Sequence, residues 1–288
     1  MIYGIKFWAL GLEGDFRIKM LYQFNKTDLL PEVDALIGQT IKGFSTHDLS
    51  AISNSGLMNR VDSKFLLPIN TIIDVLNAAS SDYSVLMIDN VTIFKYNNIY
   101  FDTPDLGFYK QHHNRKLNRH KVRHRHYADV GTSFLEVKFK NNKGRTIKNR
   151  CLADIDPATA LSENHAFLRE HDINMPHRLI SSQACSYQRI SLANDARKER
   201  LTFDLNINFA STLRHSKAED NYNLTDFFMA ELKQEKLNRQ SPFYRLMREM
   251  SIRPKGFSKY CMGQSLTNNK HIKSNRFKAN LIRLEKGA

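Results

Sequence analysis

The residues best placed to do chemistry lie in the segment 119–140, where charged side chains recur at the two-residue period of a β-strand. The first run places on one face Arg119, Lys121, Arg123 and Arg125. The second run places on one face Glu136, Lys138 and Lys140. Cations crowded on one surface repel one another unless water or an anion screens them. Two interpretations follow: a solvated outer face, or a polyanion site in which the cations bind phosphate and Glu136 binds a divalent metal.

The elements that would position these side chains are three consecutive strands. Residues 128–131 read Ala-Asp-Val-Gly, a turn sequence that predicts a hairpin between the two charged runs. A second turn signal at 142–144 precedes a third predicted strand over 145–150, which carries Lys148 and Arg150 on one face. The sequence therefore predicts that the cationic residues share one antiparallel ladder.

More segments of the chain repeat the alternation of charged and apolar side chains. They cover 60–67, 186–192, 200–209 and 228–233. In the clearest of them, Arg200 and Asp204 share one face and apolar residues such as Phe203 share the other, and in the last one Glu231 and Lys233 share a face. A sandwich with a wet exterior gives this pattern, and so does a barrel with a polar lumen.

Helices are predicted between these strands, and their apolar stripes need the exterior of a sheet to pack on, which favours the barrel. The predicted helices cover 46–54, 70–76, 155–172, a segment that begins at Ser241 and Pro242, and the basic stretch 269–286. The expected fold class is therefore α+β, with an antiparallel, closed or nearly closed barrel around a polar lumen and with flanking helices.

Composition narrows the class of protein without choosing a partner. Of the 288 residues, 41% are hydrophobic and 10% aromatic, which is typical of a folded globular protein. Lys and Arg number 43 against 29 Asp and Glu, which leaves a formal net charge of +14. That excess predicts attraction to polyphosphate, nucleic acid or anionic lipid and does not distinguish them.

The three cysteines lie far apart, so neither a disulfide framework nor a Cys-x-x-Cys metal site is expected, and a reducing cytoplasm fits best. The apolar N-terminus is interrupted by Lys6 and is too short to span a bilayer, and no other apolar run is long enough. We therefore expect a soluble protein and leave a membrane-surface or membrane-protein partner open. Residues 1–40 show no sustained period and are expected to form a poorly ordered extension.

Other signals for chemistry are weaker. One group of histidines lacks metal-ligand spacing and sits beside cations that would oppose a metal: His112, His113, His120, His124 and His126. The nucleotide-binding patterns GxxxxGK[ST] and GxGxxG are missing from the sequence. Tyr100, Phe101 and Tyr109 could stack a nucleobase, although core packing is the commoner use of aromatic residues at strand spacing.

Nine motifs between Phe44 and Gly263 resemble, in their order along the chain, the VTC domain. They are NRVDSKFLL, YFDTPD, HKVRHRHY, FLEVKFK, RTIKNR, YQRISL, RLTFD, MAELK and RPKGFSKYCMG. The VTC domain belongs to the CYTH, or triphosphate tunnel metalloenzyme, superfamily and is the polyphosphate polymerase module of the vacuolar transporter chaperone complex. Together with the residue patterns at the two ends, the resemblance divides the chain into an N-terminal extension over 1–40, a tunnel domain over 41–266 and a C-terminal basic helix over 267–288.

The same resemblance implies an antiparallel β-tunnel whose inward basic residues bind ATP, triphosphate or a polyphosphate chain, with Mn²⁺ or Mg²⁺ as cofactor. The residues that match catalytic positions of the family are Lys64, Arg123, Arg125, Lys138, Arg189, Arg200 and Lys259. The residues that match its phosphate-binding positions are Lys64, Arg123, Arg125, Lys148, Arg189 and Arg200. Glu231 matches the metal-binding glutamate, and Glu136 is the second candidate metal ligand. Residues 60–64 depart from the ExExK pattern of other tunnel enzymes, so a two-glutamate metal site is not expected there.

The implied activity is a metal-dependent transfer of the ATP γ-phosphate to a growing polyphosphate chain. The alternatives are a triphosphatase or nucleotide cyclase on the same fold and a non-catalytic module that binds polyphosphate or RNA. The presence of Glu231 favours an enzyme, because a purely cationic tunnel would bind anions better without it. We expect no specific recognition of nucleic acid.

Overall fold

The central element of the computed structural model, which describes residues 31–50, 60–213, 221–268 and 270–287, is a sheet of 11 strands. The strands are β1 (Thr46–His47), β2 (Val61–Pro68), β3 (Ser84–Leu86), β4 (Ile93–Asp102), β5 (Arg119–Tyr127), β6 (Thr132–Lys140), β7 (Thr146–Leu152), β8 (Ile180–Asn194), β9 (Glu199–Ser211), β10 (Tyr222–Leu224) and β11 (Phe227–Gln234). The helices are α1 (Pro31–Ile41), α2 (Ile72–Ala79), α3 (Gly107–His113), α4 (Pro157–Glu163), α5 (His165–Glu170), α6 (Pro242–Glu249), α7 (Lys259–Thr267) and α8 (Lys278–Glu285). The predicted α+β class is confirmed.

The long strands form one antiparallel path in the order β2-β11-β9-β8-β4-β5-β6-β7. Within the described residues, β2 and β7 end this path and do not pair with each other, so hydrogen bonds do not close the sheet. The free edge of β2 is met by a later segment, in which the Lys255 amide donates a hydrogen bond of 2.8 Å to the carbonyl of Lys64. The result is a nearly closed tunnel.

The predicted hairpin forms between β5 and β6, with Arg123 directly opposite Glu136. Its turn ends at Gly131, which has a positive φ of 68° that only glycine adopts without strain. The third predicted strand is β7, which pairs with β6 so that Lys138 lies opposite Lys148. The ladder expected from the sequence is therefore present.

Helices α1, α2 and α6 cover the outer face of β2, β11, β9 and β8. In α1, Ile37 and Ile41 lie one helical turn apart, are 1% and 3% exposed, and join the core around Phe203. The expected domain boundary near residue 40 is corrected by this packing, because residues 31–41 belong to the folded domain. The expectation for residues 1–30 lies outside the described residues.

The predicted helix at 155–172 is instead two short helices. The side chain of Asp156 accepts a hydrogen bond of 2.8 Å from the Thr159 amide and so begins α4 at Pro157, as the sequence predicted. The chain leaves helical geometry at Asn164, with φ −108° and ψ 29°, before α5 begins. Leu168 of α5 is fully buried against the outer face of β5 and β6.

Two other predicted helices are also corrected. In the predicted helix over 46–54, Thr46–His47 is instead a strand that pairs in parallel with β3, residues 49–50 are helical as predicted, and residues 51–54 lie outside the described residues. In the C-terminal region, the α-helix is limited to α8, where Leu284 is 5% exposed and packs into the core. The C-terminal helix is therefore shorter than predicted and is docked on the domain.

A second core cluster packs around α7, a helix that is buried along almost its whole length. Gly263 lies so close to β8 and β9 that an added Cβ would come within 2.6 Å of the Phe209 ring, so the position requires glycine. Tyr100, Phe101 and Tyr109 are 5%, 1% and 1% exposed. These three aromatic residues therefore belong to the core and offer no surface for a nucleobase.

Candidate active site

The inward face of the sheet carries most of the cationic residues predicted from the sequence. They are Lys64, Lys121, Arg123, Arg125, Lys138, Lys148, Arg150, Arg189, Arg200 and Lys233. Lys121 on β5 and Lys64 on β2 show that the walls face one another across a lumen, because one segment contacts both strands. The Lys121 ammonium donates a hydrogen bond of 2.8 Å to the Ser258 hydroxyl, and the Lys255 amide donates to the Lys64 carbonyl. Lys64 lies on β2, at the other end of the strand path. The charged faces therefore point into the tunnel and not to solvent.

Glu231 is the first of three carboxylates that point into the lumen, and it forms ion pairs with two lysines. It lies directly opposite Lys64 in the pairing of β11 with β2, and its carboxylate accepts a hydrogen bond from the Lys64 ammonium. The Lys233 ammonium lies 3.2 Å from the other carboxylate oxygen. Burial alone would raise the pKa of Glu231, but Lys233 and Lys64 hold it well below its usual range. Glu231 is therefore ionised and charge-balanced before any ligand binds.

Asp204 is the second inward carboxylate, and the sequence analysis did not include it in the site. It is fully buried and accepts hydrogen bonds from Arg189 Nε at 2.5 Å and Nη2 at 2.8 Å. The Lys259 ammonium, at the start of α7, donates to the same carboxylate. Burial alone would raise the pKa of Asp204, but Arg189 and Lys259 keep it below its usual range. The signal that could have found Asp204 is its position on the same strand face as Arg200.

Glu136 is the third inward carboxylate and is also fully buried. It lies 2.5 Å from Arg123 Nη2 and 2.5 Å from the Lys148 ammonium. Burial alone would raise its pKa, and the surrounding cations, led by Arg123, lower it far below its usual range. Each of the three carboxylates thus has its own cationic ion-pair partners, and the three do not form one acidic cluster.

Lys121 and Lys138 stand out because, among the described residues, neither forms an ion pair with a carboxylate. They lie directly opposite each other on β5 and β6, and Lys148 continues the row on β7. The pKa of Lys138 is lowered well below its usual value by Arg123 and by burial. Like charges placed side by side in a partly buried row are unfavourable without an anion between them. Binding of a polyanion would therefore relieve the charge repulsion within this lysine row.

Arg125 is buried but is held by neutral partners. Its Nε donates to Asn98 Oδ1 at 2.9 Å, its Nη2 donates to the Tyr187 hydroxyl at 2.8 Å, and its guanidinium lies 5.0 Å from the centre of the Tyr96 ring. Because no carboxylate of the described residues pairs with it, its charge is available to a ligand. Tyr187 was also missed as a site residue by the sequence analysis.

Arg200 is the predicted cation that lies next to Lys233, one of the two lysines paired with Glu231. It is half-buried near the start of β9, opposite Lys233 and Ala193. Burial lowers its pKa, Arg60 lowers it further, and Asp195 acts in the opposite sense. The structure therefore places Arg200 near one end of the lumen. The other predicted cations lie together further inside.

The donor set for a metal is limited to single carboxylates. Among the described residues, no group of three or more His, Cys, Asp or Glu side chains could hold a metal ion. Glu231 and Glu136 each fit the way in which Mg²⁺ is commonly bound, through one or two carboxylates with phosphate oxygens of the substrate completing the shell. A metal in this lumen would therefore arrive with the phosphates or be completed by them.

A nearly closed antiparallel sheet with a basic, partly desolvated lumen defines a triphosphate-tunnel fold. The model of the VTC domain matches residues 59–268, and the chain belongs to this family. This confirms the resemblance found in the motifs. None of the curated proteins compared with the chain matches it.

Solved structures that resemble the chain do so at low identity. A candidate adenylate cyclase of Bacillus halodurans is 15% identical, with 69% of this chain and 94% of that one covered and a TM-score of 0.44. A candidate adenylyl cyclase of Hippeastrum, described as having a dominant triphosphatase activity, is 13% identical, with coverages of 72% and 95% and a TM-score of 0.42. A protein of Pyrococcus horikoshii is 11% identical, with coverages of 70% and 97% and a TM-score of 0.41.

In the ranges that the structure describes, none of the helices has both the length and the apolar character needed to cross a bilayer.

Proposed function

We propose that this protein is a polyphosphate polymerase, which transfers the γ-phosphoryl group of ATP to the end of a polyphosphate chain. The observation that carries the proposal is the lysine row Lys121, Lys138 and Lys148, which lies beside the buried Arg123–Glu136 pair. A row of partly desolvated cations is suited to a linear polyanion with a charge on every unit. Membership of the VTC family supports the same activity.

Phosphoryl transfer asks for in-line positioning and for stabilisation of charge on the equatorial phosphate oxygens, with little covalent help from the protein. Arg123 and Arg189 have guanidinium planes fixed by buried carboxylates, so they can present their remaining N–H groups in one orientation. The lysines act as mobile point charges along the chain. The side chains thus provide positioning and electrostatic stabilisation.

A divalent ion, Mn²⁺ or Mg²⁺, would neutralise negative charge on the phosphates when bound. Glu231 would be its main protein ligand and Glu136 a second one. Lys64 and Lys233 balance the charge of Glu231. Phosphate oxygens attract the same two ammonium groups, and their displacement leaves the carboxylate free to bind a cation.

The nucleophile in this reaction is a terminal phosphate oxygen of the growing chain, which is already ionised at neutral pH. It bonds to the γ-phosphorus of ATP as the bond from that phosphorus to the β–γ bridging oxygen breaks, and ADP leaves with that oxygen. No general base is required. The cations and single carboxylates of the lumen are suited to a reaction that needs only positioning and charge stabilisation. If water occupies the acceptor position, the same site hydrolyses triphosphate. Triphosphatase activity is therefore the second candidate function.

The decisive experiment is to incubate the purified protein with γ-labelled ATP and Mn²⁺ and to resolve the products on a gel. A ladder of labelled chains is the expected result. Labelled free phosphate without chains would replace the polymerase by the triphosphatase, and the lack of any product would favour a non-catalytic module that binds polyanions. We assign the reaction to the cytoplasm, where ATP is supplied, and the free thiols of Cys151, Cys185 and Cys261 fit a reducing compartment.

A further inference from the structure

The inward face of β5, β6 and β7 changes chemistry from one end of the strands to the other. Three consecutive rows across these strands are Lys121–Lys138–Lys148, Arg123–Glu136–Arg150 and Arg125–Phe134–Leu152. The first row is purely cationic, the second combines arginines with a carboxylate, and the third has two apolar residues beside one arginine. The polar lumen therefore ends in an apolar rim.

This rim, formed by Phe134, Arg150 and Leu152, is accessible to solvent. Leu152 is 71% exposed although it lies on the inward strand face, and Arg150 is exposed as well. Phe134 is half-buried, and its ring meets Tyr127 edge-on at a centroid distance of 5.9 Å. The guanidinium of Arg150 lies over the Phe134 ring, 4.4 Å from its centre. An aromatic ring covered by an accessible guanidinium thus stands at the mouth of the phosphate site.

Such a pair is suited to a flat, aromatic ligand. Aromatic rings and guanidinium groups both stack on nucleobases, and every base offers a π-face to them. The rim also has the correct spacing from the lysine row, because Phe134 and Lys138 are four residues apart on one strand, or ~13 Å. That separation allows a base at the rim while the phosphates of the same nucleotide reach the lysines.

We propose that the rim of Phe134, Arg150 and Leu152 binds the base of a nucleoside triphosphate whose phosphates lie along the lysine row. The proposal rests on the proposed function for the phosphate site and adds the orientation and class of the donor substrate. The base stacks on the Arg150–Phe134 pair, and Leu152 covers its edge. An inorganic triphosphate fills the same phosphate positions and leaves the rim empty.

The test compares the binding of ATP with that of inorganic triphosphate by calorimetry, with a metal chelator present so that neither ligand is turned over. In Phe134→Ala, Arg150 loses the ring that holds its guanidinium in place for stacking, so we expect Kd for ATP to rise about tenfold or more. We expect Kd for inorganic triphosphate to stay within about twofold of the wild-type value. Phe134→Trp should retain tight ATP binding.

A matched control is Phe139→Ala, which removes a half-buried ring from the opposite face of β6, where Phe139 stacks on His120. It should leave the ratio of the two affinities unchanged. Equal weakening of both ligands by Phe134→Ala, or unchanged ATP binding, would overturn the base site. Failure of the wild-type protein to bind inorganic triphosphate would instead overturn the proposed phosphate site, and this proposal with it.

Discussion

Arg189 and Asp204 form a two-point ion pair inside the tunnel, with hydrogen bonds of 2.5 Å and 2.8 Å from the guanidinium to the carboxylate. The pair follows from strand register, because the two residues are direct partners across β8 and β9. A bidentate contact fixes the guanidinium plane. Asp204 therefore positions a cation of the proposed site and also balances the charge of Lys259.

Replacing this carboxylate should leave two buried cations without a partner. We predict that Asp204→Asn lowers the free energy of unfolding by ~3–5 kcal/mol, the usual cost of breaking a buried ion pair. Chemical denaturation at pH 7 measures the loss. Inorganic triphosphate should recover more stability in the variant than in the wild type, because the ligand supplies the missing negative charge. Equal stability of the two proteins would contradict the role given to Asp204.

The pH dependence of stability provides a second test of Asp204. The folded-state pKa of Asp204 lies below its unfolded value of ~3.9, so its contribution is fully present above that value and is lost as the pH falls through the folded-state pKa. We expect the wild-type protein to lose more stability between pH ~5 and ~3 than Asp204→Asn does. Parallel curves for the two proteins over that interval would rule out the depressed pKa.

Arg125 and Arg123 allow binding and stability to be separated. Arg125 has neutral partners, so we predict that Arg125→Ala weakens triphosphate binding by ~1.5–3 kcal/mol with little loss of stability. Arg123→Ala leaves Glu136 buried with Lys148 as its remaining ion-pair partner, so it should destabilise the fold as well. The double variant Arg123→Ala with Glu136→Gln should recover part of that stability. Wild-type ligand affinity in Arg125→Ala would mean that its charge does not reach the ligand.

Glu231→Gln tests the metal assignment. We predict that turnover of ATP with Mn²⁺ is abolished, while polyphosphate binding is unchanged or tighter because a negative charge has been removed from the lumen. Asp62→Asn is a useful control, since Asp62 lies on the same strand face as Lys64 but is more exposed. The control should turn over ATP. Unchanged turnover in Glu231→Gln would eliminate this residue as the metal ligand.

Binding of triphosphate should also be coupled to the uptake of protons from solvent by Lys138. Arg123 and burial lower the pKa of Lys138, and the negative charge of a triphosphate should raise it again, so binding near pH 8 should take up protons. Calorimetry in two buffers with different ionisation enthalpies gives the number of protons taken up. Lys138→Met should reduce it, whereas Lys143→Met, in the exposed turn after β6, should not. Proton release in the wild type would contradict the depressed pKa.

RNA should bind differently from polyphosphate, because sugars and bases cannot thread the lumen. We predict that RNA binds exposed cations such as Lys278 and Lys286 and loses affinity steeply with salt. The measurement is displacement of labelled polyphosphate by RNA at about 150 mM salt, where the screening length is roughly 8 Å. Charge reversal at the two positions is preferred to deletion of α8, because Leu284 is part of the core. Displacement at equal phosphate concentration in both proteins would support a shared open surface.

Much of the fold was predictable from short-range patterns. The alternation of charged and apolar residues in 119–140 and 200–209 determined strands β5, β6 and β9, because side chains of a strand point to alternate faces. The nine motifs predicted the VTC family, which the match over 59–268 confirms. Helix limits were less predictable: α1 was missed because Ile37 and Ile41 gain their helical role only from the core on which they pack.

The sequence by itself determined which residues share a strand face, and it therefore identified the cations at 64, 123, 125, 138, 148 and 189 as one group. It did not determine whether that face points inward or outward, since a solvated surface and a lumen have the same period. Only the curling of the sheet decided this, because it brings Lys64 of β2 and Lys121 of β5 into contact with the same segment, 255–258. The tertiary structure also decided the ion pairs, because Asp204 and Lys259 are brought together by the docking of α7 and not by any local pattern.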